Sequence, residues 1–179
     1  MPTTVSITED NVLAALRTFL LSIVAAGVEV VDGQDNRVPE PVGDDFLVMT
    51  PLSQARLSTN GTTYTDPGTN PGTANYERAT QSMVQIDVHG PNSADNAAMI
   101  ETLYRSEYAV DSFAASGLDI QPLYCDDAKQ MPFINGENQF EQRWIITAAI
   151  QSNPVTAVPQ DFADQLEVNI ISVEATYPA

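Results

Sequence analysis

In 179 residues the chain has one cysteine, one histidine, one tryptophan and one lysine. A lone thiol, Cys125, excludes an intramolecular disulfide framework and any multi-thiolate zinc site within one chain. His89 is the sole imidazole, so any Ser-His, Cys-His or two-histidine metal scheme has to run through it. The sequence has no Walker motif, no G-x-G-x-x-G and no G-x-S-x-G nucleophile elbow. Ser22 and Glu29 break the first apolar run well short of the about 20 residues a membrane helix needs. The first ten residues carry acids where a secretory signal carries Lys or Arg, so the expectation is a soluble, unexported protein without membrane contact.

Positive charge is scarce as well. Seven Lys and Arg stand against 24 Asp and Glu, for a formal charge of −17 and a pI near 4.1. Nucleic-acid affinity draws on cations that displace counterions, so specific DNA or RNA binding is not expected. The acids are spread along the chain and 43% of residues are hydrophobic, which fits a folded domain that can bury a core. The acidic surface either solubilises the protein or repels a polyanion. The basic set is Lys129 against six arginines, Arg17, Arg37, Arg56, Arg78, Arg105 and Arg143. Arginine's planar fork pairs bidentately with carboxylates and is enriched at subunit contacts, so the bias tilts toward assembly, with ordinary intramolecular pairs as the other reading.

Thr8 is placed to cap a helix running to about Ala26, with Glu9 and Asp10 in the first turn and Gly27 at the stop. Val12, Leu13, Leu16, Phe19, Leu20, Ile23 and Val24 form its wide apolar face. Ala14, Thr18, Leu21 and Ala25 recur nearly opposite, a second stripe that either meets another subunit or is simply solvated. A β-branched piece (Val28 to Val31) leads into a polar loop with Pro39 and Pro41. Phe46 to Leu57 reads as a strand broken in phase at Pro51, at an edge or a bulge. Residues 59–75, rich in Thr, Asn, Gly and Pro, read as a long loop arm.

Gln81 to His89 alternates, with Val84, Ile86 and Val88 on one face and Gln85, Asp87 and His89 on the other, before Gly90-Pro91 ends the strand. Ser93 is read as the cap of a helix bearing Ala97, Ile100, Leu103 and Tyr104, and Ser106 as the opening of a second that ends at Gly117. Ile120 to Tyr124 reads as a short strand. Asn135-Gly136 is the strongest hairpin-turn dipeptide. The strand after it puts Phe140, Trp144, Ile146, Ala148 and Ile150 on one face and Glu141, Arg143, Thr147 and Gln151 on the other. Asn153-Pro154 stops it, and a final strand is expected over Leu166 to Ala175. The order of elements favours an α+β domain over 1–179, an antiparallel or mixed β-sheet with helices packed on one face and a long loop arm.

The chemistry-bearing residues do not converge. His89 reads as a surface histidine at a strand end, with Asp87 on the same face but no nucleophile nearby. Cys125 is followed by Asp126 and Asp127, acids that raise a thiol's pKa, so an inert thiol is favoured. Asp32 to Asn36 resembles a calcium loop only loosely, out of register with an EF-hand. The expectation is no enzyme, no cofactor and no metal site.

One stretch orders residues in a way no generic fold requires: QMPFINGENQFEQRW, residues 130–144. With it stand NRVPEP (36–41), FLVMTPL (46–52), QIDVHGP (85–91), RSEYAVDSF (105–113), QSNP (151–154) and PQDFADQL (159–166). On these motifs the chain resembles, nearly end to end, the neck terminator or tail-terminator proteins of long-tailed bacteriophages. The resemblance implies a structural virion protein without enzymatic activity or cofactor, assembled in the host cytoplasm. It implies a homo-oligomeric ring, commonly a hexamer, at the head-proximal end of the tail tube. There the ring ends tube polymerisation and joins the tail to a head-completion or connector protein, while DNA passes an acidic channel without specific binding.

The interface residues expected on this reading are Ala14, Thr18, Leu21, Ala25, Arg56, Tyr64, Arg78, Glu137, Glu141 and Arg143. Pro132, Asn135 and Gly136 are expected to shape the hairpin, and Phe140 and Trp144 to anchor it in the core. Rival readings are a tail-tube or head-completion subunit and, in another class, a small acidic hydrolase or ligand-binding domain that uses residues 59–75 as a lid.

Overall fold

The computed structural model describes residues 3–34, 41–131, 133–134, 136 and 138–163. In chain order the strands before the second helix are β1 (Thr4–Val5), β2 (Glu29–Asp32), β3 (Phe46–Arg56), β4 (Gly61–Thr65), β5 (Gly72–Glu77) and β6 (Thr80–His89). The helices are α1 (Glu9–Ile23), α2 (Ser93–Tyr104) and α3 (Glu107–Ala114). The remaining strands are β7 (Ile120–Cys125), β8 (Lys129–Gln130), β9 (Phe133–Ile134), β10 (Phe140–Glu141), β11 (Arg143–Ser152) and β12 (Val155–Gln160). The main sheet runs β2-β3-β6-β11-β7, with β8 also on β11. It is antiparallel except for the parallel β2–β3 pair. A second sheet, β1-β12-β5-β4, is antiparallel throughout.

Alternation in β6 and β11 builds the core. Val84, Ile86 and Val88 of β6, Ile146, Ala148 and Ile150 of β11, and Leu47 and Met49 of β3 are buried together against the three helices. From α1 come Leu16, Phe19 and Leu20, all fully buried. Phe19 meets Tyr104 edge-on at 5.7 Å and Phe113 at 6.1 Å. The Tyr104 hydroxyl donates to the Ala149 carbonyl at 3.0 Å, so the one polar atom of that aromatic cluster is satisfied. The expected α+β class, with helices on one face of a mixed sheet, is what the chain adopts.

Helix α1 starts as its sequence predicts. The Thr8 hydroxyl accepts from the Asn11 amide, and the Asn11 side chain accepts from the Thr8 amide. It stops earlier than expected, at Ile23, with Val24 as the C-cap. Ala25 therefore lies in the turn beyond the helix, and the exposed stripe on α1 is Ala14, Thr18 and Leu21. Pro51 marks a bulge, with β3 slipping register against β6 between Pro51 and Ser53.

Four expectations are corrected. Residues 59–75 hold strand β4 and most of β5, which pair with each other while β5 finds β12 on its other side. Strand β12 was not foreseen after Asn153-Pro154. Helix α2 begins after Asn92, not Ser93; its N-terminus is held by the Asp45 carboxylate, which accepts from the Asn92 amide at 2.9 Å and from the Asn92 side chain at 2.7 Å. Phe140 is 82% exposed and anchors nothing, because β10 pairs with β9 in a separate ribbon while β11 enters the core only from Arg143 onward. Trp144 does pack partly buried against the core. The strand expected over 166–175 lies outside the described residues.

Candidate functional site

The far face of the main sheet, away from the helices, is not a plain solvated surface. Asp87 and His89 of β6 are both buried there. Asp87 sits opposite Ile145, so Arg143, two residues along β11, reaches it diagonally. The guanidinium donates through Nε at 2.8 Å and Nη2 at 2.6 Å to the same Asp87 oxygen, and the Gln85 amide donates to both oxygens at 3.0 and 2.8 Å. His89 is therefore not the surface residue expected from its strand-end position. Phe46 stacks on its ring at 4.5 Å, and its Nδ1 lies 3.0 Å from the Glu141 carboxylate.

These contacts tie down the root of the β9–β10 ribbon. Glu141 is held by His89, Arg143 by Asp87, and the Gln142 carbonyl accepts from the Gly90 amide at 3.2 Å. Glu141 and Arg143, expected to face an adjacent subunit, both make ion pairs within their own sheet. Above them opens a cleft of about 680 Å³ between the 41–46 segment and the ribbon, with Gly136, Phe140 and Val42 in its lining. Val42 is 94% exposed. Neither Val42 nor the exposure of Phe140 was foreseen; a lone apolar residue in a Pro/Gly loop carries no periodic signal. Pro132, Asn135 and Glu137 lie outside the described residues, and Asn138, before β10, takes the left-handed conformation.

The other expected interface residues are distributed. Tyr64 stands exposed on β4, edge-on to Phe162 at 6.5 Å, and Arg56 ends β3. Arg78 lies between β5 and β6. Among the described residues no group of three or more His, Cys, Asp or Glu is arranged to hold a metal. Cys125 is buried, and burial pushes its thiol up from the ordinary value, the nearby acids adding less than the sequence suggested. Among the described residues no helix is long and apolar enough to cross a membrane.

A family model described as phage neck terminator protein matches residues 10–175. The chain belongs to the phage neck terminator family. It thus belongs with structural proteins of the phage tail and neck. No curated protein matches it. Among solved structures it is similar to the sheath/tube terminator, in its extended state, of the PVC extracellular contractile injection system. That similarity is at 13% identity and TM-score 0.46, over 96% of this chain and 65% of that one. The chain thus spans about 65% of that relative's length.

Proposed function

We propose that this neck terminator closes into a homo-oligomeric ring of six copies on the head-proximal end of the tail tube. The ring stops tube polymerisation and presents its other side to a head-completion or connector protein. The observation that carries this reading is the family match across residues 10–175. Two surfaces of the isolated chain support it: the exposed stripe Ala14, Thr18 and Leu21 on α1, and the exposed apolar side chains Phe140 and Val42 at the 680 Å³ cleft. Arg56, Tyr64 and Arg78 are further contacts on this reading, with Ala25 at the end of the stripe.

Charge gives the ring its channel. Six copies carry on the order of −100, and like-charge repulsion lets DNA pass without sticking. The protein acts by shape and charge, without catalysis or cofactor, and assembles in the host cytoplasm before entering the virion.

Light scattering on the size-exclusion peak across a concentration series tests the ring. A discrete particle near six copies is expected. Particles that lengthen with concentration would identify a tube subunit instead. A monomer both alone and in the presence of tail tubes would overturn the proposal.

A further inference from the structure

The edge of a β-sheet presents a row of backbone N–H and C=O groups that invites a further strand, and folded proteins blunt such edges. Among the described residues the edge strands are β2 and β7 of the main sheet and β1 and β4 of the second. Three of these are blunted. β2 carries Glu29 and Asp32, and the Arg17 side chain donates to its Val30 carbonyl at 2.9 Å. β7 contains Pro122, and the Arg105 guanidinium donates to its Cys125 carbonyl. β1 is two residues long. β4, with the sequence GTTYT, differs: it has neither proline nor charge, all five residues are exposed, and among the described residues it pairs with β5 on one side.

The described residues end beside this edge. Past β12 the Phe162 ring lies over Gly72 of β5, filling the space a Cβ there would need. The Phe162 amide donates to the Asn70 side chain at 3.1 Å, and the Phe162 carbonyl accepts from the same side chain at 3.2 Å. The Phe162 ring also meets Tyr64 of β4 edge-on at 6.5 Å. β4 and β12 both pair antiparallel with β5, so they run in one direction, and Thr65 of β4 lies at the level where β12 ends. A segment that turns back from residue 163 therefore runs antiparallel to β4. Residues 163–165 reach about 10 Å when extended, and a strand added to β4 lies about 4.8 Å out.

The sequence that follows has the pattern of a strand. In LEVNIISVEA, residues 166–175, Leu166, Val168 and Ile170 alternate with Glu167 and Asn169, with neither proline nor glycine. The segment holds acids and no base, so uncharged β4 receives it without the repulsion that acidic β2 would set against it. Tethering selects the same chain, because a segment a few residues away has an effective concentration of about 1 mM, above that of free copies in dilute solution. We propose that residues 166–175 add to β4 of their own chain as an antiparallel fifth strand of the second sheet. The open edge is then closed from within, and another chain can pair with β4 only by displacing that strand. The assignment does not rest on the ring.

Two measurements on the full chain test it. In the first, hydrogen exchange over residues 61–65 is compared between the unaltered chain and Ile170→Pro, which removes a ladder donor from the added strand. Exchange about tenfold faster in the variant, with β11 unchanged, is the expected result. Equal exchange in both chains would overturn the proposal. In the second, the photoreactive p-benzoylphenylalanine replaces Thr63, and its adducts are mapped by mass spectrometry. An adduct to residues 164–175 within a band of single-chain mass is expected. The same adduct in a band of two-chain mass would make a neighbouring copy the donor and overturn the same-chain assignment. Adducts that avoid 164–175 would overturn it altogether. If Ile170→Pro does not fold, the photoadduct decides alone. A single-chain adduct is read identically in a monomer and in a ring, so failure of the ring and failure of this assignment are seen separately.

Discussion

At the scale of single residues, the Asp87 carboxylate accepts four short contacts, two from Arg143 and two from Gln85, in a setting where its own side chain is 7% exposed. Arg143→Glu would set a second acid against it. The expected outcome is a folded state weakened by about 3 kcal/mol in urea unfolding, since removing one partner of a buried pair strands the other. A midpoint unchanged from the parent chain would show the pair to be dispensable. Phe140→Ser should behave oppositely, leaving the unfolding midpoint within about 0.5 kcal/mol because the ring is exposed, while weakening self-association in light scattering. These two residues show where sequence reading stopped. Alternation told which residues share a face of a strand, but not that β10 and β11 are separate strands, nor that the second face of the sheet is half covered.

Cys125 and Tyr104 add a dependence on pH with a definite sign. Burial raises both above their ordinary values, so both stay protonated in the folded chain while the unfolded chain ionises. Their contribution to stability is complete below the unfolded thiol value of about 9 and is lost as the pH climbs past it toward the raised folded values. Urea midpoints measured between pH 7 and 10.5 should therefore fall above about pH 9. A flat profile over that span would contradict the burial of these two groups.

At the scale of elements, the turn from β6 into α2 is tightly constrained. Gly90 has φ +101°, and a Cβ there would run into the Asp44 carbonyl and Asp45. The same loop carries the Asp45 carboxylate that holds the start of α2. Gly90→Ala should destabilise the chain by about 1–3 kcal/mol, measurable as a lowered unfolding midpoint. Helix α1 and strands β6 and β11 were legible because their apolar periods are long and uninterrupted. Strand β12 was not: its six residues include Pro159, which lacks a donor. Among the described residues β1 pairs only with Thr156 and Ala157 of β12, so Pro159 interrupts no ladder on that side. The hairpin at 61–77 was hidden by its composition, since Thr, Asn and Gly read as loop until a partner strand completes the ladder.

At the scale of the whole molecule, the net charge of −17 sets how copies meet. Each must approach others of the same sign, and salt screens that repulsion over about 10 Å at 0.1 M and about 3 Å at 1 M. Self-association should therefore strengthen as sodium chloride rises from about 0.05 to 0.5 M, read as a shift in the light-scattering mass at fixed protein concentration. Weakening over the same range would mean that exposed ion pairs, not apolar contact, hold the copies together. Fold class and family were both readable in the sequence, the second through the 130–144 motif. The buried pairs at the root of the β9–β10 ribbon were not, because each depends on register between strands far apart in the chain.

Thr4 of β1 pairs with Ala157 of β12. Segments far apart in the sequence thus meet in one sheet, and that sheet also carries the β4–β5 hairpin. Closing so long a loop comes late in folding, because its entropy is lost before its contacts repay it. During synthesis the strand that joins them is among the last described segments to leave the ribosome. The helices and most of the main sheet can take shape before β1 and the hairpin have anything to pair with, so the second sheet is a clasp fastened at the end.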